Sequence, residues 1–393
     1  MSTRGARRRA PSIVRRRQVA VLAVAAAAFV TGVSFGAGGD DEPLVQPVPT
    51  PAPTEAPRAD GTSAPTPTPS PDPVDDLSLQ EQVGKLVVLR FEGTTMPTYV
   101  RRVLRRGWAS GAILFKPNIT SPGQLQALTR SLRAAGRAAG AMPIVCTDQE
   151  GGDIRNVAWA PPAVGQARQV PGRDARAAGR ALRAAGINVT LAPVADVPTS
   201  AGTALAGRAF SSDPRRAATA TKAAIEGWRA GGVAATAKHF PGLGGATTNT
   251  DFGSATIAGG APTDADLAPF KAAIAAKVPL IMSSHARYPR LDARRIASQS
   301  PAILKDLLRD ELGYQGVVIT DSIEAKAVRA TGATEEIAVR SIRAGNDIVL
   351  TTGQGSWIRT YRALLAEARA SRAFRAQVRA SAHRVLMLQG QLR

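Results

Sequence analysis

The chain has 393 residues, with 50 Lys and Arg against 30 Asp and Glu, a formal charge of +20, and 44% hydrophobic residues. That apolar share supplies a packed core and excludes wholesale disorder. The single cysteine, Cys146, excludes an intramolecular disulfide framework and any cysteine-rich zinc or iron–sulfur centre, and three histidines (His239, His285, His383) argue against a multi-histidine metal site. The surplus positive charge does not read as a nucleic-acid stripe. Seven arginines fall within the first seventeen residues, leaving +13 for the rest, and aromatic residues make up 4% with no interleaving of Lys/Arg and aromatics. Arg, Ala, Gly and Pro are enriched together, which reads as genomic GC content. Anionic wall polymers or lipid suit the charge better than nucleic acid.

The N-terminal 39 residues open with that arginine cluster and continue into an apolar run, Val19 to Val30, that stays uncharged through Ala37. A basic region followed by such a run is an export signal, and at 19 residues it is also long enough to remain as a membrane anchor. The arginines are expected on the cytoplasmic side in either case. Small residues Ser34, Gly36 and Ala37 would permit cleavage. Residues 40–75 follow as a linker, with eleven prolines between Pro43 and Pro73. Such a stretch buries no core and extends as polyproline II, a tether between membrane and body.

From residue 76 to 393, short apolar β-rich runs alternate with Ala/Leu/Arg segments of helical period. The strands are predicted at 84–91, 112–115, 143–147, 188–192, 233–238, 280–284, 317–320 and 347–350. Helices are predicted at 122–139, 174–185, 214–230, 264–276 and 301–312. Continuous apolar strands separated by helices imply a parallel sheet covered on both faces. Eight of them predict an α/β fold of the closed (β/α)8 TIM-barrel type, as a single domain. An open doubly wound sheet is the rival, but the first strand is not followed by G-x-G-x-x-G and no Walker sequence occurs.

The polar residues fall at one end of this arrangement. Asp148-Gln-Glu-Gly-Gly152 follows the third strand, Asp196 ends the fourth, Lys238-His239 ends the fifth, His285 the sixth and Asp321 the seventh. The C-terminal strand ends are where barrel active sites lie. A lone aspartate there could be a structural ion pair, but charged clusters on five strand ends are costly to bury unless paired or used.

These residues carry a resemblance. Asp-Gln-Glu-Gly-Gly (148–152), Gly-Arg-Ala-Phe-Ser-Ser-Asp-Pro (207–214), Ala-Lys-His-Phe-Pro-Gly (237–242) and Val-Ile-Thr-Asp-Ser (318–322) resemble glycoside hydrolase family 3, in its β-N-acetylhexosaminidase branch. Lesser signatures extend the match from about Leu77 to Leu388. The resemblance implies removal of terminal β-linked N-acetylglucosamine from wall fragments or chitin oligosaccharides, with retention of configuration and no cofactor or metal. Retaining chemistry sets two groups about 5 Å apart, one to attack the anomeric carbon and one to protonate the leaving oxygen. By family position Asp321 is the nucleophile. Asp148, Arg208, Lys238 and His239 match positions that contact sugar hydroxyls, for which charged donors and acceptors are suited. Where the family usually carries an arginine, eight residues after Asp148, this chain has Asn156, so Arg155 is the candidate substitute.

The loop after the fifth strand departs further. The branch reads Lys-His-Phe-Pro-Gly-His-Gly and then Asp-Ser-His, whose Asp-His pair is the general acid/base. Here the chain runs Lys238-His-Phe-Pro-Gly-Leu-Gly-Gly-Ala-Thr-Thr-Asn-Thr-Asp251, so Asn249-Thr250-Asp251 stand in place of Asp-Ser-His and the loop has no histidine beyond His239. One expectation is that Asp251 is itself the acid/base, with its pKa raised by its surroundings and with Asn249 orienting it. The alternative is a catalytically impaired barrel that acts as a wall-sugar-binding module. A β-glucosidase of the same family would call for a further domain to carry its acid/base, for which 393 residues are not expected to leave room. The expected partner is an amino-sugar oligosaccharide or peptidoglycan fragment, with no nucleic acid. The protein is expected to be a monomer that is extracytoplasmic, secreted or anchored by its N-terminal segment.

Overall fold

The computed structural model describes residues 72–392. The export segment, and the linker up to residue 71, lie outside the described residues. The chain is packed from Asp72 onward. Val74 is fully buried, and Asp72 and Asp75 pair with Arg379 of the last helix, so the end of the stretch that composition assigns to the linker belongs to the folded body.

Eight parallel strands appear in chain order: β1 (Val87–Leu89), β2 (Gly111–Ile113), β3 (Ile144–Thr147), β6 (Val189–Thr190), β7 (Thr236–Phe240), β8 (Leu280–Ser283), β9 (Val317–Thr320) and β10 (Val349–Leu350). Between β3 and β6 a small antiparallel hairpin, β4 (Gln149–Gly151) and β5 (Ile154–Arg155), interrupts the series. The predicted strands all occur: most are shorter than expected, those expected at 112–115 and 233–238 are shifted to Gly111–Ile113 and Thr236–Phe240, and Val317–Thr320 keeps its bounds. The hairpin was not predicted. Its turn needs positive φ at Gly151 (103°) and Gly152 (59°), and in sequence those glycines read as a plain loop.

The parallel strands form one sheet in the order β10-β1-β2-β3-β6 and another in the order β7-β8-β9. Parallel bridges join Val189 to Ala234, Val194 to Lys238 and Ile319 to Ile348 between these two sheets. The fold is therefore α/β, with a parallel sheet whose strands bury both faces. Val87 and Leu89 face the helices while Val88 between them joins a second apolar cluster with Ile113, Ile144, Cys146, Leu280, Met282, Val317 and Ile319. Alternation along a strand sends successive side chains to opposite faces. Both are apolar here because helices cover one, and on the other, side chains of several strands pack together with Val385 and Leu388 of the last helix.

Helices follow the predicted pattern. Those at Pro122–Arg137, Pro171–Ala184 and Pro214–Ala230 begin on proline, which suits a first-turn position that has no hydrogen bond to lose. Ser121 and Asp213 cap two of them by accepting backbone N–H bonds from the first turn. Gly111 lets the strands approach, since a side chain there would meet the Ile144 carbonyl at 1.9 Å.

The last helix, Arg372–Gln391, closes the end of the sheet at which the strands begin. Its Val385 and Leu388 belong to the inner cluster. Asp347, fully buried, fastens it: its carboxylate accepts from Ser381 Oγ (2.8 Å), Arg384 Nε (2.9 Å), Arg309 Nη2 (2.7 Å) and the Val318 N–H (2.9 Å). Removing one member of such a set strands the remaining buried charges. Asp347→Ala is expected to lower the urea unfolding free energy by about 3–5 kcal/mol, and unchanged denaturation midpoints would refute this account of how the helix is held.

Candidate active site

Five strand ends supply the site. At the end of β7, Lys238 has a side chain that is only 3% exposed, and its Nζ lies 2.6 Å from Asp148 Oδ1 and 2.7 Å from Glu150 Oε1. Arg208 completes a fork onto the same glutamate, with Nε 2.9 Å from Oε2 and Nη2 2.6 Å from Oε1. Bidentate pairing of this kind fixes geometry as well as charge. Burial alone would raise the Glu150 carboxyl, but the charges and hydrogen bonds of Lys238 and Arg208 bring it down to about 2. The same carboxylates hold both cations protonated against the opposing effect of burial. Asp148 and Arg208 each keep about one-fifth of the side chain exposed, so they are the members of this set that face the opening.

Glu150 is a site residue that the sequence reading did not assign. Its signal was available, because it lies inside the Asp-Gln-Glu-Gly-Gly stretch. Motif matching drew attention to Asp148, while nothing in one dimension shows that the glutamate one strand position further bridges two cations.

The next residue is held separately. His239 Nδ1 lies 2.7 Å from Asp196 Oδ2, and the Asp196 carboxylate also accepts the His239 N–H (3.2 Å) and the Leu243 N–H (2.6 Å). With Nδ1 engaged as donor to a buried carboxylate, Nε2 is the nitrogen left for a ligand. Leu243 itself is 1% exposed, and Gly244 packs so closely on Val197 that a side chain would meet its carbonyl at 2.0 Å. The first loop histidine of the family pattern is therefore replaced by a buried aliphatic anchor.

Asp321 follows β9. Its backbone N–H donates to Ser283 O (3.1 Å) and its Oδ1 accepts the Ser322 N–H (2.7 Å). Burial would raise this carboxyl, but His239, His285 and Lys238, with the Ser322 N–H, hold it below the ordinary aspartate range. The turn that presents it is braced on both sides. His285 is fully buried, with Nε2 2.9 Å from the Ser322 carbonyl and Nδ1 2.7 Å from Ser298 Oγ. Burial lowers its pKa, and Nε2 donates to the Ser322 carbonyl, which has no hydrogen to give. On the other side Ser322 Oγ lies 2.5 Å from Thr352 Oγ1, and Glu324 Oε2 accepts the Thr352 N–H at 2.7 Å.

The loop after β7 reaches this turn. The Lys326 N–H donates to Asp251 O (3.2 Å) and the Ala327 N–H to Thr250 O (3.1 Å), which stitches residues 250–251 to the segment that follows Asp321. Asp251 is an exposed residue, and its carboxyl is raised above its ordinary value by partial desolvation and by the negative charge of Asp321. His239, Arg208 and His285 pull it the other way, which places its carboxylate within electrostatic reach of the whole cluster. Asn249 Oδ1 accepts the Asp251 N–H (3.0 Å), so its side chain orders the loop. Lys238 thus meets Asp148 directly and Arg208 through Glu150, while Asp251 and Asp321 lie within electrostatic range of His239. Arg155 lies in β5 opposite Gln149, partly buried. Asn156, in the neighbouring position, instead donates to the Asp148 carbonyl (3.1 Å) and accepts from the Lys116 N–H (3.2 Å), which makes it a brace for the hairpin. Among the described residues no group of three or more His, Cys, Asp or Glu side chains is arranged to hold a metal ion.

Residues 78–388 match the model of the glycosyl hydrolase family 3 N-terminal domain. The chain belongs to glycosyl hydrolase family 3. Among relatives in the family, an uncharacterized secreted glycosyl hydrolase of Arthroderma benhamiae is 35% identical over 308 residues, 71% of this chain and 84% of the relative. A beta-hexosaminidase of Stenotrophomonas maltophilia is 33% identical over 281 residues, covering 67% and 82%. Among solved structures, a beta-N-acetylhexosaminidase of Beutenbergia cavernae superposes with a TM-score of 0.73 at 32% identity, over 80% of this chain and 99% of that one. A family 3 beta-N-acetylglucosaminidase of a Paenibacillus species gives 0.76 at 29% identity, over 80% of this chain and 63% of that longer one.

The buried ion network carries a pH signature. Glu150 at about 2 in the folded protein, against about 4.5 unfolded, contributes stability that is fully present above the unfolded value and is lost as pH falls from 4.5 toward 2. The shift corresponds to about 3 kcal/mol. Glu150→Gln is expected to cost stability of that order at neutral pH, with the difference from the unsubstituted protein narrowing below pH 4.5 in urea titrations. A difference that does not depend on pH would contradict it.

Proposed function

We propose that this family 3 glycoside hydrolase cleaves terminal β-linked N-acetylglucosamine from wall fragments or chitooligosaccharides with retention of configuration, using Asp321 as nucleophile and Asp251 as general acid/base. The observation that carries the reading is the unequal state of two carboxyls that feel each other: Asp321 is held low and Asp251 is held high. A nucleophile must be ionised and a proton donor must hold its proton at the working pH. The similarity to the Stenotrophomonas beta-hexosaminidase and the Beutenbergia beta-N-acetylhexosaminidase supports the sugar class. The name of the Arthroderma relative supports an extracytoplasmic location.

The geometry suggests how the parts would act. Asp148, Arg208, Lys238 and the free Nε2 of His239 would accept and donate hydrogen bonds to the hydroxyls of the terminal sugar. Asp321, oriented by the Ser322 N–H, would then attack the anomeric carbon while Asp251 protonates the departing oxygen. Water activated by the resulting Asp251 carboxylate would release the sugar in the second step. Asn249 would hold the donor loop and not the substrate. The eight parallel segments would close as a (β/α)8 barrel, a reading supported by the parallel bridges at Val189, Val194 and Ile319 that link the two sheets. A sugar-binding module without activity is the weaker reading, because a loop that only bound sugar would have no use for a second, high carboxyl beside Asp321.

Activity should follow a bell. The acidic limb, set by Asp321, should lie below the usual aspartate range, and the alkaline limb, set by Asp251, above it. Asp251→Asn is expected to remove the alkaline limb and to cut kcat about 10²–10⁴-fold on a chitooligosaccharide. The loss should be much smaller on a dinitrophenyl N-acetyl-β-glucosaminide, whose leaving group needs little protonation. Asp321→Ala should abolish turnover of both. Equal losses on the two substrates for Asp251→Asn would remove the acid/base assignment. An unsubstituted protein that binds the sugar but hydrolyses neither would leave the binding module.

A further inference from the structure

The excess of basic residues is not used by the sugar site. Helices run antiparallel to the strands they join, so their C-terminal ends gather at the face where the strands begin, opposite Asp148, Lys238 and Asp321. On that face Arg137 and Arg229 occupy the last turns of their helices, and Lys277 follows the helix Asp264–Ala275. The helix dipole favours a cation at such a position, which accounts for each residue singly but not for how they are grouped. A cleft of about 900 Å³ opens here between the starts of β7, β8 and β9 and the last helix, and Arg229 and Lys277 line it. No Asp or Glu lines it among the described residues. Arg229 donates to the carbonyls of Ala276 and Lys277, contacts that leave its charge uncompensated. Nearby, burial and the charges of Arg183 and Arg137 lower the pKa of Arg133, so these cations crowd one another. Met387, 47% exposed, lies on the rim of the cleft.

The described chain begins at the same face. Asp72 accepts from His383 Nδ1 (2.8 Å) and shares a second, smaller cleft with His383 and Met387. Residue 72 therefore lies beside the basic cleft, and the sequence before it contains the 19-residue uncharged run from Val19 to Ala37 behind an arginine cluster.

We propose that this basic face docks onto an anionic phospholipid bilayer, with Arg137, Arg229 and Lys277 meeting phosphate headgroups, so that the sugar site points away from the membrane. Nucleic acid fits the face less well, because the cationic side chains are not interleaved with exposed aromatics that could stack on bases. A bilayer is favoured over a soluble phosphate polymer by the point at which residue 72 enters: a tether to a membrane raises the local concentration of headgroups at that face. The inference does not depend on the hydrolase reading, since a sugar-binding body tethered in the same way would dock alike.

The test uses the full chain with Met387→Trp as reporter, mixed with brominated-lipid vesicles of phosphatidylcholine alone or with phosphatidylglycerol. Extra quenching is expected only with phosphatidylglycerol, and high salt should remove it. Arg137→Gln, Arg229→Gln and Lys277→Gln together should weaken it by about fivefold per charge, on the order of 100-fold in all, while hydrolysis of a soluble aryl glycoside stays unchanged. Equal quenching in the two vesicle types, or a triple variant that still responds fully, would overturn the proposal. A reporter that responds to poly(glycerol phosphate) but not to vesicles would also overturn it and would assign the face to a soluble polymer.

Discussion

A lysine ammonium buried at the end of a parallel strand cannot persist without compensation, and the pairing of Lys238 with Asp148 and Glu150 is the constraint on which the site depends. Burying an ion costs several kcal/mol unless its partners return most of that in charge and hydrogen bonds. The partners come from β4 and the residue before it, so compensation draws the hairpin against β7. Arg208, 58 residues further along than Glu150, is drawn in by the same carboxylate. The result is a buried Lys238–Glu150 pair whose partners Asp148 and Arg208 keep part of their side chains at the surface of the site.

Around this centre the backbone is held at each point where chemistry is proposed. Asp196 accepts from two N–H groups and an imidazole, which fixes the turn after β7 and the free nitrogen of His239 together. Ser322 is gripped by His285 on one side and by Thr352 on the other, and it in turn orients Asp321. Rigid supports of this kind let a carboxylate be positioned to within fractions of an ångström. The two acids then differ by environment, not by type. Asp321 is buried among imidazoles and an ammonium, whereas Asp251 is exposed and feels a neighbouring negative charge. Like charges at a shared site separate the two titrations, the difference that the proposed nucleophile and proton donor require.

Much of the fold was legible because parallel strands that bury both faces are continuous apolar runs, and β9 at Val317–Thr320 has the bounds read from sequence. The β4–β5 hairpin was missed because its pairing depends on two left-handed glycines and a buried Gln149 that ties it to Val157 and Ala160. Val74 and Asp75 read as linker because proline dominates their neighbourhood. Their burial and ion pairing come from a helix roughly 300 residues away, and no local window contains it. In the same way Arg155 looked like a substitute for an arginine of the family pattern, but strand pairing directs β5 by its register with Gln149, and the substrate contact expected of Arg155 finds no support in its surroundings.

The sequence by itself determined the alternation of strands and helices, the end of the strands at which charge collects and the family, because these depend on residue type and order along one dimension. It also showed that the donor loop lacks its customary histidine. Only the tertiary structure decided that Glu150 is the hub of the ion network, that Asn156 braces a hairpin and that residues 250–251 are stitched to the turn after Asp321. The physical reason is that the protonation and orientation of a carboxyl are set by charges and dipoles within a few ångströms. In this chain those neighbours come from strands separated by tens to hundreds of residues.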